Sequence, residues 1–574
     1  MADAKSSSLH SQEDPDTKEQ VNVDQSPASS QFDLLNYHEH NAGRLVVDPE
    51  EAKIEFGEAV ASRLKLSKDG TKVLWPQPTD DPEDPQNWSD FRKGVQLFII
   101  TLAAIVPDFD SGIGIADIFA LATQYNTTTG VINNLTSKCV FAICSYQLAS
   151  WFLNFTPQLE HLSVGMGWYI CGDAHASIWP ASHPLLVPGK VLALGFLVGC
   201  TFAPNLNTFT AMRCLTAIFG TCPQVTICSP SICKQERYGS KYDPQSIFAS
   251  WIKYQLNIWT MGFILSPFIS PFAFGFMVAR ENWRWTYGIG SMYGAIVVGL
   301  IVLFMEETMY DRKLPNPKPI PRPASRIRYR IETLTGITGA RMAKYRDSWR
   351  TVVLACLDIV WRPHLFMILW FEALLFGFSI GINVTNAVFL GTPPPVGYGI
   401  SQFAIAGAYG TPIVAVLIGE VLGRYFNDWV MNFCIRRNKG VFEAEFRLWT
   451  CYIAIPLYIC GFVVLGAAIQ KHLTIGALVM GWGIAEVAVM INTVAVYAYC
   501  NDCFPRHQGE ISALINLART LGGFSVAYFQ VPWATKHGGL QTFGVEAAIV
   551  VGLFLLIVPA LQIKGRYLRQ RYSG

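Results

Sequence analysis

EETMYDRKLPNPKPIPRPASRIRYRIETL, residues 306–334, opens a strongly basic stretch that continues to Arg362. About a dozen apolar runs flank it, in two sets of six. A hydrocarbon core of about 30 Å needs about 20 apolar residues in helical form, so repeated runs of that length describe a polytopic helical membrane protein. The basic stretch divides the chain into a half at 91–305 and a half at 363–563, with 306–362 as the linker.

The first half carries spans near Gly94–Phe119, Ser137–Phe155, Val191–Ala203, Thr208–Cys233, Leu256–Val278 and Trp283–Met305. The second carries Leu365–Leu390, Gln402–Leu422, Leu448–Ile469, Ile475–Tyr499, Ile511–Trp533 and Phe543–Ile563. We refer to these as spans 1 to 12. A six-plus-six layout is that of many secondary transporters.

Composition agrees: 51% of the residues are hydrophobic and 15% charged, against about a quarter charged in ordinary soluble domains. Residues 1–90 are polar and read as a disordered cytosolic tail without a signal peptide. The fourteen cysteines form no dense framework, and the close pair Cys500 and Cys503 lacks a second pair at zinc-ligand spacing, so no metal site is expected.

Basic residues orient the chain. Arg92 and Lys93 precede span 1; Arg312, Lys313, Lys318, Arg322, Arg326, Arg328 and Arg330 follow span 6; Arg424, Arg436, Arg437 and Arg447 follow span 8; and Lys564, Arg566, Arg569 and Arg571 lie in the tail 564–574. One threading puts all of them in the cytosol, with both termini. The sequons at Asn126 and Asn134 then lie outside, as glycosylation candidates.

Ionisable groups within spans are costly and mark function unless they pair or merely bond neighbouring helices. In span 7, Glu372, Ser379, Asn383 and Asn386 share one stripe and should face a polar cavity. Span 10 carries Glu486 and Asn492, and span 1 carries Asp110 and Asp117 beside Pro107. Counted over the spans, Asp108, Asp110, Asp117, Glu372, Glu486 and Glu546 outnumber Arg213 and Arg519, which predicts a negative or proton-loaded cavity suited to cationic or neutral compounds. Glu372 is the first choice for the proton carrier.

Three patterns carry a resemblance. Span 5 contains Gly262, Ser266, Pro267, Ser270, Pro271 and Gly275, small residues at helical spacing with two prolines. This resembles the helix 5 motif of proton antiporters of the major facilitator superfamily, with serines in place of two glycines; a proline-kinked packing helix is the plainer reading. Arg213-Cys214-Leu215-Thr216-Ala217 in span 4 is similar to that superfamily's helix 4 motif, whose arginine is linked to proton coupling; snorkelling to the headgroups is the alternative. Gly419-Glu420-Val421-Leu422-Gly423-Arg424, then Asp428, Arg436, Arg437, Glu443, Glu445 and Arg447, looks like the second copy of its cytosolic charge motif, a clamp that breaks when the halves rock. Asp84-Pro85-Gln86-Asn87-Trp88-Ser89 and Glu306-Glu307-Thr308-Met309-Tyr310-Asp311-Arg312 strengthen the likeness to fungal drug:proton and polyamine:proton antiporters.

The resemblance implies an all-α polytopic membrane protein with a twelve-helix major facilitator fold in two six-helix halves, its cavity lined by spans 1, 4, 7 and 10. It implies proton-coupled efflux of small organic compounds by a monomer whose partners are substrate, protons and the lipid bilayer, with no cofactor, no catalysis and no nucleic acid. The expected location is the plasma membrane, with the vacuolar membrane as the alternative. Import of polyamines or other cations, and a non-transporting sensor or defective transporter, stay open. The stretches 138–190 and 227–255 lose the family pattern and regain it abruptly, which suits a retained intron or shifted frame. His161, His175 and His183 in the first stretch lack the partners that a membrane-embedded enzyme would need.

Overall fold

A computed structural model describes the chain at residues 49–56, 58–62, 64, 66, 88–135, 183–220, 247–306, 325–334, 357, 359–394, 397–438, 443–504 and 508–572. Eleven long helices run through the described residues: α1 Asp90–Ala116, α2 His183–Thr201, α3 Leu206–Gly220, α4 Ile247–Val278, α5 Arg284–Phe304, α6 Pro363–Gly391, α7 Gly410–Arg437, α8 Cys451–Lys471, α9 Ile475–Cys503, α10 Gln508–His537 and α11 Gly539–Tyr572. They match spans 1 and 3 to 12; span 2, with His161 and His175, lies outside the described residues. Seven segments among the described residues are long and apolar enough to cross a membrane, and 189–201 and 264–278 add shorter apolar helices.

Several boundaries differ from the expected ones for identifiable reasons. Span 1 breaks at Asp117, and a separate helix Ile118–Gln124 follows. α2 starts at His183, inside the atypical stretch, because Pro184 falls in the first turn, where a missing N–H costs nothing. α11 runs on to Tyr572, so most of the expected tail 564–574 is helix. Arg569, only 5% exposed, turns back to pair with Glu445 at 3.0 Å.

Helix contacts within each half rest on close approach at glycines. Lipid is as apolar as leucine, so helices associate through packing, and small residues permit it. A Cβ on Gly377 of α6 would lie 2.6 Å from the carbonyl carbon of Gly522 on α10, and one on Gly461 of α8 would lie 2.5 Å from the amide nitrogen of Ala485 on α9. In the first half, Gly112 of α1 meets Ser270 and Pro267 of α4, and Gly262 of α4 meets Thr101 and Ile105 of α1.

The two halves meet along α4, α7 and the short helix Gln402–Ala408. Gly275 of α4 faces Ala406, and Gln402 Nε2 donates to the Ala116 carbonyl at 2.8 Å, at the end of the molecule where α1 stops. One buried apolar cluster joins Ile113, Ala116 and Ile118 to Leu390, Ile405 and Tyr409 across this contact. A second joins Leu97, Ile100 and Ala104 to Val416 and Met490.

Candidate functional site

Span 7 becomes α6, and its polar stripe is buried, with Glu372 at 0%, Asn386 at 0%, Ser379 at 4% and Asn383 at 5% exposure. The stripe does not present an unpaired acid. Glu372 Oε1 accepts from Arg519 Nε at 3.0 Å and Nη2 at 2.6 Å, and from Thr493 Oγ1 at 3.1 Å. Asn492 Nδ2 donates to Glu372 Oε2 at 3.2 Å, and Arg519 Nη2 also donates to Thr493 Oγ1 at 3.0 Å. The Arg519 guanidinium lies 4.2 Å from the Phe376 ring centroid and 4.7 Å from that of Tyr497. One carboxylate on α6, one cation on α10 and two neutral donors on α9 thus form a buried cluster.

Two turns further along α6, Ser379 Oγ donates to Glu486 Oε1 at 2.7 Å, and Trp482 Nε1 donates to the same oxygen at 3.3 Å. Tyr409 packs edge-on to Trp482 at 5.2 Å and donates its hydroxyl to the Asn383 carbonyl at 2.6 Å. Near the far end of α6, Gln530 Nε2 donates to both oxygens of Glu546, at 3.2 and 3.0 Å, and Thr385 Oγ1 bonds Gln530 Oε1 at 2.7 Å. Asn383 Oδ1, Asn492 Oδ1 and both side-chain polar atoms of Asn386 make no hydrogen bond among the described residues. Buried amides left this way are expensive unless a ligand or another conformation completes them.

In the first half, Arg213 of α3 is 4% exposed. Its Nη1 donates to the Tyr287 hydroxyl at 2.6 Å and its Nη2 to the Ser111 carbonyl at 3.0 Å. Gly114 leaves the space that the guanidinium fills. The group points into the protein rather than towards headgroups. Asp117 Oδ2 accepts from Thr286 Oγ1 at 2.8 Å, and Asp110 and Asp117 both lie within electrostatic range of Arg213. Tyr125, Phe209, Trp283 and Tyr287 pack around this site, with ring centroids 5.4 to 6.3 Å apart.

The span 5 motif packs. Ser266 and Ser270 are fully buried, Gly262 lies against α1, and Pro267 and Pro271 lie inside α4. The charge motif holds ion pairs within the second half. Arg447 bonds Asp502 at 3.0 Å and Asp428 at 3.4 Å, and Arg566 approaches Glu443 at 3.5 Å, all within the second half. Gly419 and Gly423 seat α7 on Met490 and Ile491 of α9, Glu420 is buried, and Arg436 and Arg437 are exposed in the last turn of α7. Arg92 pairs with Glu306 in the first half. Asn126 is exposed with φ of 49°, a left-handed conformation that asparagine tolerates, and Asn134 is half-buried.

The spacing pattern missed Arg519, Thr493, Gln530, Tyr287 and Thr286 as partners. A signal for the first did exist: an arginine inside a span requires a carboxylate or water. Hydroxyls and amides carry no such demand and stay invisible until the helices are placed.

Residues 254–527 match the sequence profile of the Major Facilitator Superfamily. The efflux pump radE of Floropilus chiversii is 21% identical, over 94% of this chain and 92% of its own length. The MFS transporter cpaT of Aspergillus oryzae is 24% identical, over 88% of this chain and 93% of its own. Among solved structures, the xylose transporter XylE from E. coli in a partially occluded inward-open conformation aligns with a TM-score of 0.50 at 14% identity, covering 82% of this chain and 97% of its own. A peptide transporter POT in complex with sulfate aligns with a TM-score of 0.51 at 13% identity, covering 82% and 95%. The chain therefore has the major facilitator fold, and residues 254–527 carry that superfamily's sequence signature.

Proposed function

We propose that the chain is a secondary active transporter that exports small organic compounds, cationic or neutral, in exchange for protons by alternating access. The coupling reading rests on one observation: Glu372 is fully buried and held by Arg519 from another helix. A proton delivered to Glu372 cancels the charge that retains Arg519, and an unpaired guanidinium cannot stay in that place without cost. Protonation therefore favours a rearrangement of α6, α9 and α10. A cation entering beside the pair favours the ionised carboxylate and drives the proton off, which is the reciprocal linkage that exchange requires. The contacts between the halves at the Asp117 end, read as the outer face from the basic loops, suit a state closed to the outside.

The test uses purified full-length protein in proteoliposomes with an imposed pH gradient and a small fluorescent organic cation. Wild type should move the cation against the proton flow, and Glu372→Gln should abolish that movement with the protein still folded in the membrane. Full pH-driven transport by Glu372→Gln, or a preference of wild type for anions, would remove this mechanism.

A further inference from the structure

The short helix Arg326–Leu334 of the linker is not part of the transport path, and its side chains are sorted in an unusual way. Arg330 donates to the carbonyls of Ile301, at 3.0 Å, and Val302, at 3.1 and 2.6 Å, and to that of Met305. Ile301 and Val302 lie in the last turn of α5 and Met305 is its C-cap; the Ile301 carbonyl also accepts from the Met305 N–H. Burial lowers the Arg330 pKa from its ordinary value, an effect opposed by the nearby Glu306, and the group remains a cation. The linker helix is thereby pinned to the C-terminal end of α5.

One side of this helix faces the protein, since Glu332 is 6% exposed. Ile327 and Ile331, one turn apart and so on a common face, are 74% and 54% exposed. On α5, Met292, Ile296, Leu303 and Phe304 are likewise each more than half exposed. Arg328 donates from Nε to Glu332 at 2.9 Å while its side chain stays 71% exposed. Residues 306–362 hold twelve Lys and Arg against six Asp and Glu.

We propose that Arg326–Leu334 is an interfacial helix that seats on anionic phospholipid, with Ile327 and Ile331 among the acyl chains and Arg328 on a headgroup phosphate. Apolar residues on one face with a basic rim are what an in-plane helix needs, and basic residues beside an anionic leaflet add attraction. The twofold excess of basic over acidic residues in 306–362 and the attachment of this helix to the end of α5 favour an anionic lipid over a soluble protein partner. The proposal does not depend on the direction of transport or on proton coupling.

Hydrogen–deuterium exchange of the full-length protein tests it in nanodiscs of phosphatidylcholine alone and of phosphatidylcholine with phosphatidylserine. Peptides covering 326–334 should exchange more slowly in the serine lipid by about fivefold or more, and Arg328→Gln should remove most of that difference. Equal exchange of the wild type in both lipids overturns the proposal without reliance on any variant. Inorganic phosphate added to the phosphatidylcholine discs should leave exchange unchanged. If it reproduces the protection, the site is one for free phosphate and the lipid reading falls. Ile331→Ser should weaken protection in both lipids, and its failure to do so would place the isoleucines away from the acyl chains.

Discussion

The two halves solve the same problem, a charge inside the membrane, in different ways. In the second half Glu372 and Arg519 meet directly, with 0% and 4% of their side chains exposed. In the first half Arg213 donates to a phenol and to backbone carbonyls, while Asp117 is held by the Thr286 hydroxyl. A direct ion pair concentrates its stabilisation in two atoms groups that fail together, whereas a set of neutral acceptors spreads it. A substitution that removes one charge should therefore act sharply on the second half and diffusely on the first.

The largest expected effect breaks the direct pair. Arg519→Met leaves Glu372 buried without its cation and should cost about 3–5 kcal/mol, read as loss of monodisperse protein on heating in detergent. Adding Glu372→Gln to the same chain should recover most of that loss. If the double variant is no better than the single one, the pair is not the unit that holds α6 to α10.

A smaller loss is expected at Arg213. Arg213→Lys keeps the charge but cannot reach Tyr287 and the Ser111 carbonyl with one planar fork. It should destabilise by about 1.5–3 kcal/mol and slow transport, with normal membrane insertion. A lysine variant as stable and active as wild type would contradict the spread-out account of the first half. The smallest effect belongs to Thr286→Val, which removes one hydrogen bond from Asp117 and should cost about 1 kcal/mol in the same melting assay. A loss as large as that of Arg519→Met would make the two halves alike.

Residue pattern alone located Glu372, Glu486, Arg213 and Asp117 as buried polar groups, because lipid penalises such residues wherever a span carries them. The same penalty let the apolar runs define the helices and the basic linker define the halves. The count of acids against arginines included Arg519 but could not show that it lies against Glu372, 147 residues away. The charge motif after α7 was legible as a charged cluster but not as one closed within its own half.

The sequence by itself determined that the chain is a two-half helical membrane protein and which residues must find partners there, because backbone hydrogen bonding and lipid exclusion act within each segment. Only the tertiary structure decided which partner each residue found. Glu372 meets Arg519 because Gly377 and Gly522 let α6 and α10 approach, and Arg330 meets the end of α5 because the helix Arg326–Leu334 lies against it. Such pairings depend on distances between helices far apart in the chain, and nothing local in the sequence fixes them.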